Sequence, residues 1–185
     1  MMLYKQVTTT EELDQVLELQ FRNLKQHIPL AEKEGFVTLQ HSQEVLALMH
    51  AIQPSVIAVD KGKVIGYALV MDHACRALVP ALEPMFSILD TIELNGKPLL
   101  QNRFYVMGQV CIDKAYRGTG VFAALYEKHR ELFCQQYDFV VTEISAGNPR
   151  SLHAHEKNGF RIIHRHAGAE DEWLVVVWDW ASRLS

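Results

Sequence analysis

The residues from Val110 to Val121 (Val-Cys-Ile-Asp-Lys-Ala-Tyr-Arg-Gly-Thr-Gly-Val) run from a strand pattern through a glycine-containing turn into a helix pattern. A turn of this kind points several unpaired backbone N–H groups at one spot, and the positive end of the helix dipole adds to them, which is a phosphate-binding geometry. Gly118 and Gly120 let an anion come close to the main chain, and Arg117 would set a fixed positive charge at its edge. The known nucleotide loops are excluded, because neither G-x-x-x-x-G-K-[ST] nor G-x-G-x-x-G occurs. His164 and His166 share one face of a strand, but no acidic or cysteine partner has matching spacing, so no metal is expected.

These residues need elements to hold them. A short apolar stretch from Leu3 to Val7 precedes Thr9-x-x-Glu12, which reads as a capping box, followed by Leu13, Val16, Leu17, Phe21 and Leu24 at helical spacing. A second helix is expected over Ser42 to Ala51, ended by Pro54, with Glu34 to Thr38 as a loop or short extended piece before it. Val56–Val59 and Val64–Val70 flank Asp60-Lys61-Gly62-Lys63, an antiparallel hairpin signal. From Met71 to Asn102 the pattern is irregular around Pro80, Pro84 and Pro98, with one helical piece near Met85 to Ile92. A connection this long inside a compact domain suggests function. Phe104 to Ile112 gives strand four, a helix follows from about Gly120, and Phe139 to Ile144 gives strand five. Asn148 caps a further helix with Pro149 in its first turn and Asn158-Gly159 at its end, and Phe160–His166 and Trp173–Trp180 supply two more strands.

The chain has 185 residues, 49% of them hydrophobic, which suits a single domain spanning 1–185 with a real core. A net charge of −4 with scattered positive residues argues against a nucleic-acid partner. No apolar run is long enough to cross a bilayer, and no secretory signal opens the sequence, so a cytoplasmic protein without a membrane partner is expected. Cys75, Cys111 and Cys134, an odd number without C-x-x-C spacing, read as ordinary thiols in a reducing compartment. The apolar final strand could pair with a second subunit to make a homodimer.

Two motifs together resemble the GNAT superfamily of acetyl-CoA-dependent N-acetyltransferases. The first, R/Q-x-x-G-x-G/A, is matched by Arg117-Gly118-Thr119-Gly120-Val121-Phe122 except that Phe122 stands in the last position. The second, an Asn followed by a helix ending in E-K-x-G-F, is matched by Asn148-Pro149-Arg150-Ser151 and Glu156-Lys157-Asn158-Gly159-Phe160. The resemblance implies an α/β (α+β) fold: one mixed, mostly antiparallel seven-stranded sheet, splayed between strands four and five and flanked by four to five helices. It implies that acetyl-CoA is the acyl donor and lies in the splay. Contacts would come from strand residues Val110, Cys111 and Ile112, from Arg117 through Gly118, Thr119, Gly120, Val121 and Phe122, and from Asn148 and Ser151.

The implied reaction is direct attack of an amine on the thioester in a ternary complex. An alkylammonium is only about 0.04% neutral at pH 7, so a base should help. Arg103 to Ile112 holds no carboxylate, which leaves Glu143 on strand five as the base. Relatives place a thiolate-protonating tyrosine seven residues after the helix-capping Asn, and here that position is His155. About a quarter of an unperturbed histidine is protonated at pH 7, so activity would fall toward alkaline pH. The acceptor is expected to be a small-molecule amine, selected by Gly35–Thr38 and Met71–Asn102. Acetylation of a protein or peptide N-terminus and a non-catalytic CoA-binding sensor are the alternatives.

Overall fold

The computed structural model describes residues 2–29, 36–169 and 171–180. The first helix, α1 (Thr10–Arg22), begins as its capping residues require: the Thr9 side chain accepts the Glu12 amide, while the Glu12 carboxylate reaches the amide of Thr8 at 2.8 Å. Its buried stripe is Leu13, Val16, Leu19 and Gln20. Phe21, expected in the core, is 51% exposed and stacks on His27, because Leu19 occupies the inward position. Ser42 caps α2 (Gln43–Ile52), which ends before Pro54. Strands β2 (Val56–Asp60) and β3 (Lys63–Met71) form the expected hairpin, and Lys61 and Gly62 hold the positive φ values, 50° and 77°, that a two-residue turn demands.

The irregular stretch after β3 is not an open loop. It folds through 3-10 turns, a short helix α3 (Glu83–Leu89) and a two-residue hairpin, Glu93–Leu94 with Lys97–Pro98. Cys75, Phe86, Leu89 and Leu99 sink fully into the core. Sequence periodicity could not find this, since each piece is shorter than the window that reveals a period.

One sheet organises the rest, with β1 (Leu3–Gln6), β4 (Phe104–Ile112), β5 (Phe139–Ser145), β6 (Arg161–Ala167) and β7 (Glu172–Asp179) in the order β1-β2-β3-β4-β5-β7-β6. Only β4 and β5 run parallel. The final strand, expected to be available to a second subunit, lies between β5 and β6, and the sheet's edges are β1 and β6. Its unbroken run Leu174-Val175-Val176-Val177 is what a strand buried on both faces requires. One face of the sheet packs on α1, α2 and α3, and the other on α4 (Val121–Phe133).

The parallel pairing of β4 and β5 stops at Val106↔Val141. Beyond it β4 stays with β3 as far as Ile112↔Gly66, and β5 stays with β7 as far as Ser145↔Trp173, so the two strands part. The cause is local. In the register with β3, Leu69 pairs with Gln109 and Val70 with Met107, which leaves Gly108 as an extra residue, a bulge that bends β4 where the gap opens. Thr142 Oγ1 donates to the Met107 carbonyl at 2.9 Å, satisfying an acceptor beside the broken ladder.

Candidate active site at the splay

The turn after β4 is built to hold its N–H groups open. Asp113 accepts the Ala115 amide at 3.0 Å to start a 3-10 turn, Lys114–Tyr116, and the Thr119 hydroxyl donates to the Tyr116 carbonyl at 2.6 Å. Gly118 and Gly120 then take φ of 79° and 90°, where a side chain would be strained. Nothing lies within 4 Å of where a Cβ would sit at either position, so the space beside these amides is open to a ligand. Gly120 is the N-cap of α4 and offers no side-chain oxygen, which leaves the helix's first amides to an outside acceptor. Arg117 differs from the expectation. It borders the cleft, but its guanidinium donates to the Ile112 carbonyl (3.1 Å) and to Asn23 Oδ1 (2.6 Å), pinning the turn to the end of α1.

Against this turn lies a cavity of about 530 Å³, walled by Val110, Cys111 and Ile112 on β4, by Gly118, Gly120 and Phe122, and by Asn148, Ser151 and their neighbours on α5 (Pro149–Lys157). Thr119, tied to the turn, and Val121, 1% exposed at the start of α4, are not among the residues that line this cavity. Asn148 caps α5 by accepting the Ser151 amide at 3.3 Å. A second cavity, about 100 Å³, continues into the splay and shares Phe36, Val110, Asn148 and Ser151 with the first. Glu143 and His155 both line it, so the two expected catalytic residues do meet at one place. A third, about 520 Å³, adjoins it at Thr38, Ser145 and Trp173 and opens outward past Lys25 and Asp171. Leu82 is what the Met71–Asn102 segment contributes to the inner cavity. Of the expected acceptor loop Gly35–Thr38, Gly35 lies outside the described residues, and Phe36, Val37 and Thr38 line the inner cavity.

Glu143 is largely buried, and burial raises its carboxyl above the ordinary range, while its bond to His166 Nε2 opposes that rise. A raised carboxylate is a stronger base than an exposed one. Gln109, the polar β4 side chain in the same cavity, is a neutral amide that donates to the Leu39 carbonyl at 2.7 Å and accepts from Gln20 at 2.7 Å. Cys111 is 3% exposed and burial pushes its thiol up to about 12, so it packs rather than attacks.

His155 does not fit the expectation of a cationic acid. It is 1% exposed, and burial pushes its pKa down to about 4, which leaves about 0.1% protonated at pH 7. Nδ1 lies 2.8 Å from the Ser151 carbonyl and so carries the proton, and Nε2 accepts from the Tyr126 hydroxyl at 2.8 Å. Both ring nitrogens are engaged inside the protein. The alkaline decline inferred for a cationic His155 lapses with it. Phe122, the departure in the first motif, lies with its ring 4.9 Å from those of both His155 and Tyr126. Its bulk therefore turns against α5 while its amide remains in the first turn of α4.

The sequence reading weighed His166 only as a metal ligand and missed its pairing with Glu143, along with Tyr126, the Arg117–Asn23 bond and the Gly108 bulge. A lone glycine inside a strand is a bulge signal, so Gly108 was legible; the other three depend on contacts between distant elements.

The family model described as Acetyltransferase (GNAT) family matches residues 11–160. The chain belongs to the GNAT acetyltransferase family. It is an acyl-CoA-dependent acetyltransferase, and the GNAT fold matches the mostly antiparallel sheet of seven strands. In sequence comparison with curated proteins, nothing matches. Among solved structures, the ribosomal-protein-S18-alanine N-acetyltransferase from Escherichia coli superposes with a TM-score of 0.63 at 13% identity, over 97% of this chain and 94% of that one. The NatC complex bound to Gag peptide and CoA gives 0.64 at 16% identity, over 96% and 98%. The structure of yncA from Salmonella typhimurium with acetyl-CoA gives 0.63 at 12%, over 96% and 93%. At these identities the likeness is one of fold.

Proposed function

We propose that this enzyme transfers acetyl from acetyl-CoA to the primary amine of a small molecule, by direct attack within a ternary complex. The observation that carries this reading is the run of three adjoining cavities, from the Gly118–Gly120 amides, through the splay at Glu143, to an outward mouth at Thr38 and Trp173. In this reading the amides from Gly118 to Phe122 hold the donor's diphosphate, the main chain of Val110 to Ile112 pairs with its amide-bearing arm, and Asn148 and Ser151 border the thioester. The yncA structure with acetyl-CoA supports the choice of donor.

The narrow middle cavity limits the acceptor. At about 100 Å³ it has room for roughly three water-sized groups, given about 30 Å³ for each. An acetyl group and the tip of an unbranched amine fill that space. Glu143 takes the proton that frees the amine's lone pair. The thiol needs no separate protein acid, because the attacking nitrogen has a further proton to give up once it becomes an amide. His155 would then be a positioning residue, holding Ser151 and Tyr126.

A second reading, acetylation of a peptide N-terminus, is favoured by the printed acceptors of two structural neighbours, a ribosomal-protein alanine and a Gag peptide. Thiol release from acetyl-CoA should be followed with linear diamines, amino sugars and peptides beginning with Gly, Ala or Met. Turnover of the small amines supports the first reading, and turnover of the peptides alone supports the second. Tight coenzyme A binding without thiol release from any of them would point to a sensor and overturn both.

A further inference from the structure

Amine acetylation leaves a proton over. An alkylammonium enters with three N–H protons and leaves as an amide with one; the departing thiol keeps one, so one must reach solvent in each turnover. Glu143 faces the inner cavity, so its own way to water leads through the space that donor and acceptor fill during the reaction. Its Oε1 is bonded to Nε2 of His166, which is not among the residues lining that cavity. His166 stands on β6, the edge of the sheet, and is reached across β7: Glu143 pairs with Val175, and Trp173 beside it pairs with His166. Directly paired residues put their side chains on one face, so Glu143, His164 and His166 lie on the same side of the sheet. The His164 and His166 rings stack at 6.1 Å; the His166 side chain is 15% exposed, and His164 is partly exposed beside it. Ionisable groups thus run from the reaction cavity to the edge strand, away from the donor cavity.

We propose that His166 is the proton exit of the acetyl transfer, an inference that rests on Glu143 being the base. The amine gives its proton to the Glu143 carboxylate. The carboxyl passes it to the unprotonated Nε2 of His166, and Nδ1 releases a proton to water. That restores the carboxylate and leaves a neutral ring with its proton on Nε2; a half-turn of the ring then brings the unprotonated Nδ1 to Glu143 and closes the cycle, with no oxidant or co-reactant required. His166 and His164 lower the Glu143 carboxyl against the effect of its burial. His155, from α5, is the other titratable side chain lining the cavity, and Asp171 at the outer mouth bonds to Ser145 and to the Gly147 amide instead.

Three variants test this: Glu143→Gln, His166→Gln, which can still hydrogen-bond Glu143 but cannot relay a proton, and His166→Ala. Rates across pH are taken with acetyl-CoA and the fastest amine of the panel above. The His166 ring is titrated by NMR in the substrate-free protein. His166→Gln should lower kcat at pH 7 by about tenfold or more with the KM for acetyl-CoA unchanged, and should move the acid limb to higher pH because the imidazolium no longer favours the carboxylate. Added imidazole should restore part of the rate of His166→Ala, which a purely structural role would not allow. Glu143→Gln should displace the His166 titration curve. A His166→Gln profile that overlays the parent while Glu143→Gln is inactive overturns the exit and leaves the base standing. Full activity of Glu143→Gln removes the base and the exit with it. An NMR curve for His166 indifferent to Glu143→Gln overturns the relay without any acceptor.

Discussion

Lowering the pH from 7 to 5 should unfold this protein's margin of stability through three buried histidines. Burial lowers His41 and His155 to about 4 and His129 to about 3, against 6.5 for each in the unfolded chain. Each is depressed in the fold, so its contribution is fully present above pH 6.5 and is lost as the pH falls toward 4. In that window the unfolded chain binds protons that the native state refuses. Between pH 7 and pH 5 one such histidine costs about 2 kcal/mol, and the three together cost about 5–6 kcal/mol. That is comparable with the whole stability of many domains, about 5–15 kcal/mol. The contacts agree with the sign. Gln20 Nε2 meets His41 Nδ1 at 3.0 Å, so a proton placed there would face an N–H, and His129 is wholly buried beside Tyr105. Glu143, whose carboxyl is raised, opposes the loss, but it is one group against three. Urea unfolding at pH 7 and pH 5 at matched ionic strength measures the difference directly, with histidine NMR titration on the native protein beside it. A difference below about 1 kcal/mol, or His129 and His155 titrating near 6.5 in the fold, would refute the reasoning.

Two further outcomes follow from the cleft. Gly120→Ala places a side chain at φ 90°, so it should lower stability by about 1–2 kcal/mol and weaken coenzyme A binding about tenfold; calorimetry showing an unchanged Kd in the folded variant would remove the diphosphate from this turn. His155→Phe leaves the Tyr126 hydroxyl without its acceptor, at a cost of about 1–3 kcal/mol in urea unfolding. Its pH–rate profile should have the same shape as the parent's, and an alkaline decline present in the parent but absent from the variant would restore His155 as the acid.

What could be read from the sequence was what neighbours along the chain decide. The Thr9 cap, the Lys61-Gly62 turn, the Gly118 and Gly120 conformations and the end of α5 at Gly159, φ 92°, are each set by a few adjacent residues. The choice of Leu19 over Phe21 for the core was not, because Leu13 and Val16 can be continued into a stripe through Leu19 or into another through Leu17 and Phe21, and only the sheet beneath α1 decides between them. The interior position of β7 was hidden for a similar reason: chain order makes it last, while pairing places it between β5 and β6. In the site, residues joined through the motifs were found and residues joined through space were not. Glu143 was legible as the carboxylate beside the splay, whereas its partner lies 23 positions away across an intervening strand. The state of His155 was illegible because a desolvated imidazole and an exposed one are the same letter.

The two departures from the family's motifs touch each other, and together they account for a neutral His155. Phe122 adds an aromatic ring at the first turn of α4, and His155 meets it edge-on with Tyr126 against both. A cationic imidazole would be costly in that apolar cluster, and a neutral one is not; it also supplies the acceptor that the buried Tyr126 hydroxyl needs. The same packing that suits Phe122 therefore removes the proton from His155 at neutral pH. In the reaction proposed above the chemistry still balances, because an ammonium brings two protons more than the amide keeps: one for sulfur and one for the base, the role proposed for Glu143. On that reading the acceptor supplies the thiol's proton, and the demand on the protein moves to the base and to whatever carries its proton away.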